Sequence, residues 1–77
     1  MSVNEQLTLV FKDLFGPAVD VSVRTTAKDI DGWDSVAHIN LMFMIEESFG
    51  IEFAEGEFET FETVGALCAV VEQKLAA

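Results

Sequence analysis

Hydrophobic residues recur at helical spacing along most of the chain. The first run opens with Ser2 and, three positions later, Glu5, which is the pattern of a capping box at a helix start. Pro17 lacks a backbone N–H and disfavours helical geometry in Gly16, so the first helix should end there. Its apolar stripe consists of Val3, Leu7, Val10, Phe11 and Leu14, widened by Phe15.

The connection that follows, residues 16–33, is long. Val19, Val21 and Val23 alternate with polar residues, a pattern that on its own also fits a short strand. A strand needs a partner, and the sequence offers no second one. We therefore expect a long loop that the three valines pin across the helices.

Three more helices are predicted after this loop. The second runs from about Ser35 to Phe49, with Asp34 as N-cap and Gly50 as a left-handed stop. Residues 55–61 form a short third helix, and Thr63 caps a fourth. The stripe of the fourth helix is Val64, Leu67, Cys68, Val71 and Leu75, with Lys74 near the C-terminus. The predicted fold is all-α: a four-helix bundle with a long first loop and a short third helix.

The second helix has two apolar rows rather than one. His38, Leu41, Met42, Ile45 and Phe49 share one face and can fill the core. Val36, Ile39 and Phe43 form a second row, rotated away from the first, with Glu46 and Glu47 beside it. One helix of a small bundle rarely buries both rows, so the second row predicts a docking surface. The alternative is that it packs under the first loop or the third helix.

Size and charge narrow the possible functions. Seventy-seven residues, 51% of them hydrophobic, make a single domain (residues 1–77) with one core and little room for a deep catalytic pocket. Fourteen acidic residues against 4 basic ones give a net charge of −10, which disfavours nucleic-acid binding. Partners with basic patches are expected instead. The simpler alternative is that the negative charge only keeps the protein soluble.

The lone cysteine, Cys68, cannot form an internal disulfide and falls in an apolar helical run, which predicts a buried, inert thiol. No apolar stretch reaches about 18 residues, and no signal peptide is recognised at the N-terminus. We expect a monomeric cytoplasmic protein with no membrane span. The acidic run Asp29, Asp31 and Asp34 lacks the glycine and glutamate of a calcium loop, so no metal site is predicted.

Ser35 is the candidate chemical handle. As the first residue after the Asp34 cap, its hydroxyl should point outward at the start of the second helix. An anion attached there faces unsatisfied backbone N–H groups and the positive end of the helix dipole, which suits a phosphodiester. A serine at this position is, however, also a common capping residue.

The sequence resembles the acyl carrier protein family over essentially its whole length. The resemblance is carried by Gly32-Trp33-Asp34-Ser35-Val36, Leu41, the run Ile45-Glu46-Glu47-Ser48-Phe49-Gly50-Ile51-Glu52, and Thr63-Val64. It implies a carrier that is not itself an enzyme. Ser35 would receive covalent 4′-phosphopantetheine from coenzyme A, and Asp34 would cap the helix and be recognised by the phosphopantetheinyl transferase.

The same resemblance implies a recognition face for the transferase and for acyl-transferring or condensing enzymes with basic docking patches. Its residues would be Asp34, Val36, Ile39, Phe43, Glu46 and Glu47. Many carriers of primary fatty-acid synthesis have leucine after the serine and acidic residues where this chain has Ala37 and Asn40. The Gly32-Trp33-Asp34-Ser35 form resembles instead carriers of specialised pathways, such as polyketide, modified-lipid or aminoacyl systems.

An adaptor and a hydrolase are the alternatives to a carrier. An unmodified acidic adaptor could bind basic helical peptides through the second helix. A hydrolase built on Asp34, Ser35 and His38 is disfavoured, because one exposed turn provides neither an oxyanion hole nor a buried carboxylate. We expect His38 at the edge of the core and Trp33 as an anchor for the loop.

Overall fold

The computed structural model describes residues 2–54, 56–57 and 61–76. These residues form three α-helices: α1 (Val3–Phe15), α2 (Ser35–Phe49) and α3 (Val64–Ala76). A single 3-10 turn, Ala27–Asp29, interrupts the loop between α1 and α2, and the described residues contain no strand. The fold is all-α, as predicted. Most of the predicted third helix, residues 55 and 58–60, lies outside the described residues, and α3 corresponds to the predicted fourth helix.

The helix starts lie where the polar residues predicted them. The side-chain oxygens of Ser2, Asp34 and Thr63 each accept the backbone N–H three residues along, at 3.1, 2.8 and 3.1 Å. These bonds satisfy N–H groups that the first turn of a helix cannot satisfy itself. Glu5 bonds the Ser2 hydroxyl at 3.2 Å, a variation on the expected capping box.

Glycines end the first two helices. The N–H of Gly16 bonds the carbonyl of Lys12 at 2.9 Å, directly before Pro17. Gly50 has a φ of 68°, in the left-handed region, and its N–H bonds the Glu46 carbonyl at 2.9 Å. Only glycine takes this backbone conformation without a steric cost, so α2 stops where predicted.

The core lies where α1 packs against α2 and α3. Its buried side chains come from all three helices, with Ile30 and Phe53 added from the connections. From the helices they are Leu7, Val10, Phe11, Leu41, Met42, Ile45, Val64, Leu67, Cys68 and Val71. Leu75 was expected in this core and is instead 46% exposed, because it lies in the last turn of α3, beyond the last buried residue of that helix.

The long loop is held against the start of α3 by its backbone. The carbonyls of Val23 and Thr25 accept the N–H groups of Gly65 and Val64 at 3.0 and 2.8 Å. A Cβ on Gly65 would lie 2.8 Å from the Val23 oxygen, so only glycine allows this approach. Val19 packs on the core as predicted, and so does Val21. The prediction was wrong for Val23, whose side chain is 56% exposed because its backbone makes the contact.

Carboxylates organise the segment after α2. Oε2 of Glu46 accepts the N–H of Phe53 at 2.8 Å, and Oε1 of Glu57 accepts the N–H of Ala54 at 2.6 Å. The Lys74 ammonium lies 2.8 Å from the same Glu57 oxygen and 5.6 Å from the centre of the Phe53 ring. The Lys74 hydrogen bond, followed by that of Ala54, lowers the pKa of Glu57 from its usual 4.5. This cluster ties the segment to α3.

The single cysteine is buried between α1 and α3, as predicted. Cys68 is 5% exposed, and its Sγ donates to Oδ1 of Asn4 at 3.0 Å. Burial, together with the Glu72 carboxylate 3.5 Å away, raises the pKa of the thiol. Both effects disfavour the thiolate, which is the reactive form of cysteine.

Candidate functional site

The candidate site lies at the N-terminal tip of α2. Gly32, with φ of 89°, turns the chain, and the N–H of Asp34 bonds the carbonyl of Gly32 at 3.0 Å. Asp34 then accepts the N–H of Ala37 through Oδ1, which starts the helix. Ser35 follows as the first residue of α2 and is exposed. The arrangement presents a hydroxyl residue to solvent at the positive end of a 15-residue helix.

Backbone donors surround this tip. The amides of Ser35 and Val36 belong to the first turn, where a helix provides no acceptor of its own. Asp34 occupies the amide of Ala37, and the next amide, that of His38, bonds the Asp34 carbonyl at 2.8 Å. A negatively charged group on the Ser35 oxygen would therefore be close to two amides that the helix itself does not use.

An aromatic cluster lies under the tip. The ring of Trp33 contacts Phe11 edge-on at 5.3 Å between centroids and lies 5.8 Å from Phe15. It also lies edge to edge with His38, with 6.0 Å between the ring centroids and 19° between the ring planes, and donates its indole N–H to Nδ1 of His38 at 3.1 Å. Trp33 thus anchors the loop, as predicted, and His38 lies half-buried at the edge of the core.

Three apolar side chains of α2 face away from the core. Val36, Ile39 and Phe43 are 68%, 47% and 56% exposed. They extend along α2 from the residue next to Ser35, so the second apolar row does not pack under the loop. Such a row of large exposed side chains on one helix is typical of an interaction surface.

The two carboxylates predicted beside this row differ in their surroundings. Glu47 is exposed. Glu46 is half-buried, and its side chain holds the N–H of Phe53. Both belong to the predicted recognition face, but Glu46 also stabilises the fold. Sequence reasoning missed this second role, because no local pattern indicates a hydrogen bond to a backbone amide seven residues away.

The geometry around Ser35 is not that of a hydrolase. The Nδ1 atom of His38 accepts the indole N–H of Trp33, and Asp34 uses its carboxylate as a helix cap. A catalytic triad needs the imidazole between the serine and the carboxylate.

In the described part of the chain, no three acidic, histidine or cysteine residues could hold a metal ion together, and no helix there is long and apolar enough to cross a bilayer.

Comparisons with known proteins agree with this geometry. Residues 5–71 match the family described as "Phosphopantetheine attachment site". The structure is similar to the solution NMR structure of a holo acyl carrier protein from Geobacter metallireducens, with a TM-score of 0.89 and 38% sequence identity. The similarity covers 99% of this chain and 88% of the other. A search of curated proteins gave no match.

The family match covers most of the chain and includes the tip of α2 with its exposed serine. The similar structure is that of a holo carrier, and it agrees in fold over nearly the full length. The chain therefore belongs to the phosphopantetheine-attachment family and functions as an acyl carrier protein with covalently bound 4′-phosphopantetheine.

Proposed function

We propose that the hydroxyl oxygen of Ser35 is the attachment point of the 4′-phosphopantetheine arm. The observation that carries the proposal is an exposed serine at the first position of α2, directly after the Asp34 cap. The residues around it fit a phosphodiester: the amides of Ser35 and Val36 lie in the first turn, and the helix dipole favours negative charge there by about 0.3–1 kcal/mol.

Attachment is a phosphoryl-group transfer catalysed by a separate transferase. The Ser35 oxygen forms a bond to phosphorus and loses its proton to a base of the transferase. A phosphorus–oxygen bond within the pyrophosphate of coenzyme A breaks, and adenosine 3′,5′-bisphosphate leaves. Once attached, the arm supplies a thiol that holds an acyl cargo as a thioester.

The exposed row of α2, together with the acidic residues beside it, is the proposed recognition face: Asp34, Val36, Ile39, Phe43, Glu46 and Glu47. Val36, Ile39 and Phe43 provide apolar contact next to Ser35. Glu47, with the rest of the −10 net charge, attracts partner enzymes that present basic patches. A small interface of this kind exchanges quickly, which suits a carrier that visits several enzymes.

The carrier itself performs no catalysis in this proposal. Tethering keeps the cargo at a high effective concentration near each docked enzyme. Val36, Ala37 and Asn40 favour partners from a specialised pathway, such as polyketide, modified-lipid or aminoacyl synthesis, over those of primary fatty-acid synthesis. We further propose that the protein is a monomer and acts in the cytoplasm.

Intact-mass measurement tests the attachment site. The protein, incubated with coenzyme A and a broad-specificity phosphopantetheinyl transferase, should gain the mass of one 4′-phosphopantetheine. Ser35→Ala should abolish the gain. Ser48→Ala is the matched control, because Ser48 is an exposed serine at the other end of the same helix, and this variant should still be modified. A mass gain in Ser35→Ala would refute the assignment, and no gain in the unaltered protein would favour the unmodified adaptor.

A further inference from the structure

Trp33 and His38 lie on either side of Ser35, the candidate attachment residue, in the sequence. Trp33 lies two residues before Ser35, and His38 lies three residues after it on the first turn of α2. Their side chains are joined by a hydrogen bond of 3.1 Å from the indole N–H to Nδ1 of the imidazole. The backbone that carries Asp34 and Ser35 is thus held by side chains on both sides.

The same pair connects this backbone to the rest of the bundle. The Trp33 ring lies 5.3 and 5.8 Å from the rings of Phe11 and Phe15, both on α1. Phe11 is fully buried, so the ring of Trp33 packs against a side chain that is itself held in the core. An indole has a single N–H and an imidazole can accept at Nδ1 in only one in-plane direction, so the bond sets the orientation of both rings.

This orientation matters because the chain bends sharply just before Ser35. Gly32 has φ of 89°, and the Asp34 N–H bonds back to the Gly32 carbonyl at 3.0 Å. A turn containing glycine has many alternative conformations unless side chains select one. In this segment Trp33 contributes to that selection, because its side chain contacts Phe11 and Phe15 of α1 and bonds His38 of α2.

We propose that Trp33 and His38 are positioning residues for the modification of Ser35. This role rests on the proposed function of Ser35. The hydrogen bond between Trp33 and His38 fixes the direction in which the chain enters α2, and hence the direction of the serine hydroxyl. Misplacement of a nucleophile by a fraction of an ångström lowers the rate of the chemical step more than it lowers binding. The docking residues Val36, Ile39 and Phe43 should act on binding instead.

Four variants of the unmodified 77-residue protein test this, each assayed as a substrate of the transferase. Trp33→Phe keeps an aromatic ring against Phe11 and Phe15 but removes the N–H donor. His38→Leu removes the acceptor. Each should lower kcat about three- to tenfold, the range that one lost hydrogen bond allows, with KM changed less than about twofold. The double variant should be no slower than either single one, because both remove the same bond.

His38→Asn is the rescue variant, because its Oδ1 lies near the position of the imidazole Nδ1 and can accept the indole N–H. It should restore most of the rate lost in His38→Leu. A second readout is independent of the transferase. Trp33 is the only tryptophan, so its indole N–H gives one proton–nitrogen NMR signal. This signal should exchange with solvent more slowly in the unaltered protein and in His38→Asn than in His38→Leu.

The outcomes separate this inference from the proposed function. If the unaltered protein is modified at Ser35 but Trp33→Phe and His38→Leu have unchanged kcat, or if their effects add in the double variant, the positioning role is refuted alone. A loss of kcat that follows a loss of folding stability, measured by urea unfolding of the same variants, also refutes it. If the unaltered protein gains no mass at all, both proposals fail.

Discussion

The two faces of α2 carry similar side chains with opposite surroundings. Leu41, Met42 and Ile45 are 0% exposed and fill the centre of the bundle. Ile39 and Phe43 on the other face are 47% and 56% exposed. Burial of the first set stabilises the fold, whereas about half of the surface of the second set stays in contact with water. Hydrophobicity alone therefore does not distinguish a structural residue from a docking residue, but position on the helix does.

The sharpest comparison uses the same residue type on each face. Ile45→Ala should lower the free energy of unfolding by about 3–4 kcal/mol, because the side chain is fully buried and leaves a cavity. Ile39→Ala should lower it by less than about 1 kcal/mol. Urea unfolding of the two variants measures both values. Similar losses at the two positions would mean that the two faces do not differ as described.

The Phe43→Ala variant should lose partner binding rather than folding stability. Its affinity for a partner enzyme with a basic patch should fall by about 1–2 kcal/mol, because a large exposed aromatic side chain is a typical binding hot spot. Its free energy of unfolding should change by less than about 1 kcal/mol. Titration calorimetry or the KM of the transferase gives the affinity. Leu75→Ala, an exposed apolar residue on α3, is the control and should bind normally.

Glu46 and Glu47 allow the same comparison, between an effect on stability and an effect on binding, for two charged residues. Glu46→Gln should cost about 1 kcal/mol of stability, because a neutral acceptor holds the Phe53 N–H less strongly than a carboxylate does. Glu47→Gln should leave stability within about 0.5 kcal/mol. It should instead slow association with a basic partner, and the difference should shrink at high salt. Stopped-flow association at two salt concentrations, beside urea unfolding, checks both. Equal stability losses would contradict the assignment.

Acid should weaken the fold through carboxylates bonded within it, and Glu57 is the clearest case. Lys74 and the Ala54 N–H lower the pKa of Glu57 from 4.5. A depressed pKa in the folded state stabilises the protein above pH 4.5, and this contribution is lost as the pH falls through the lower folded value. Urea unfolding from pH 7 to pH 3 should therefore show Glu57→Gln converging on the unaltered protein. A constant difference across this range would contradict the prediction.

Local patterns in the sequence predicted α1, α2 and α3 and their caps well. Ser2, Asp34, Gly50 and Thr63 act within one turn of the residues they cap, so their roles can be inferred from neighbouring positions. The two rows of α2 were also separable, because helical periodicity assigns each residue to a face. Leu75 was misassigned, since periodicity does not indicate where a helix extends beyond its partners.

Contacts between distant segments could not be inferred in the same way. The loop meets α3 through the carbonyls of Val23 and Thr25, and every residue has a carbonyl, so nothing in the sequence distinguishes these two. The bond between Trp33 and His38 depends on the bend at Gly32, which brings together rings five positions apart. At the candidate site, the sequence therefore indicated which residue carries the chemistry, but not how its surroundings are fixed.

The buried thiol of Cys68 has a practical consequence for a carrier whose cargo is held on sulfur. A holo chain has two sulfhydryl groups, one at the end of its flexible arm and one between α1 and α3. Burial and the nearby Glu72 carboxylate keep the second protonated and out of reach. Thiol-directed alkylating probes therefore meet a single reactive thiol on the native protein, so cargo does not migrate to Cys68 and the arm can be labelled without removing it.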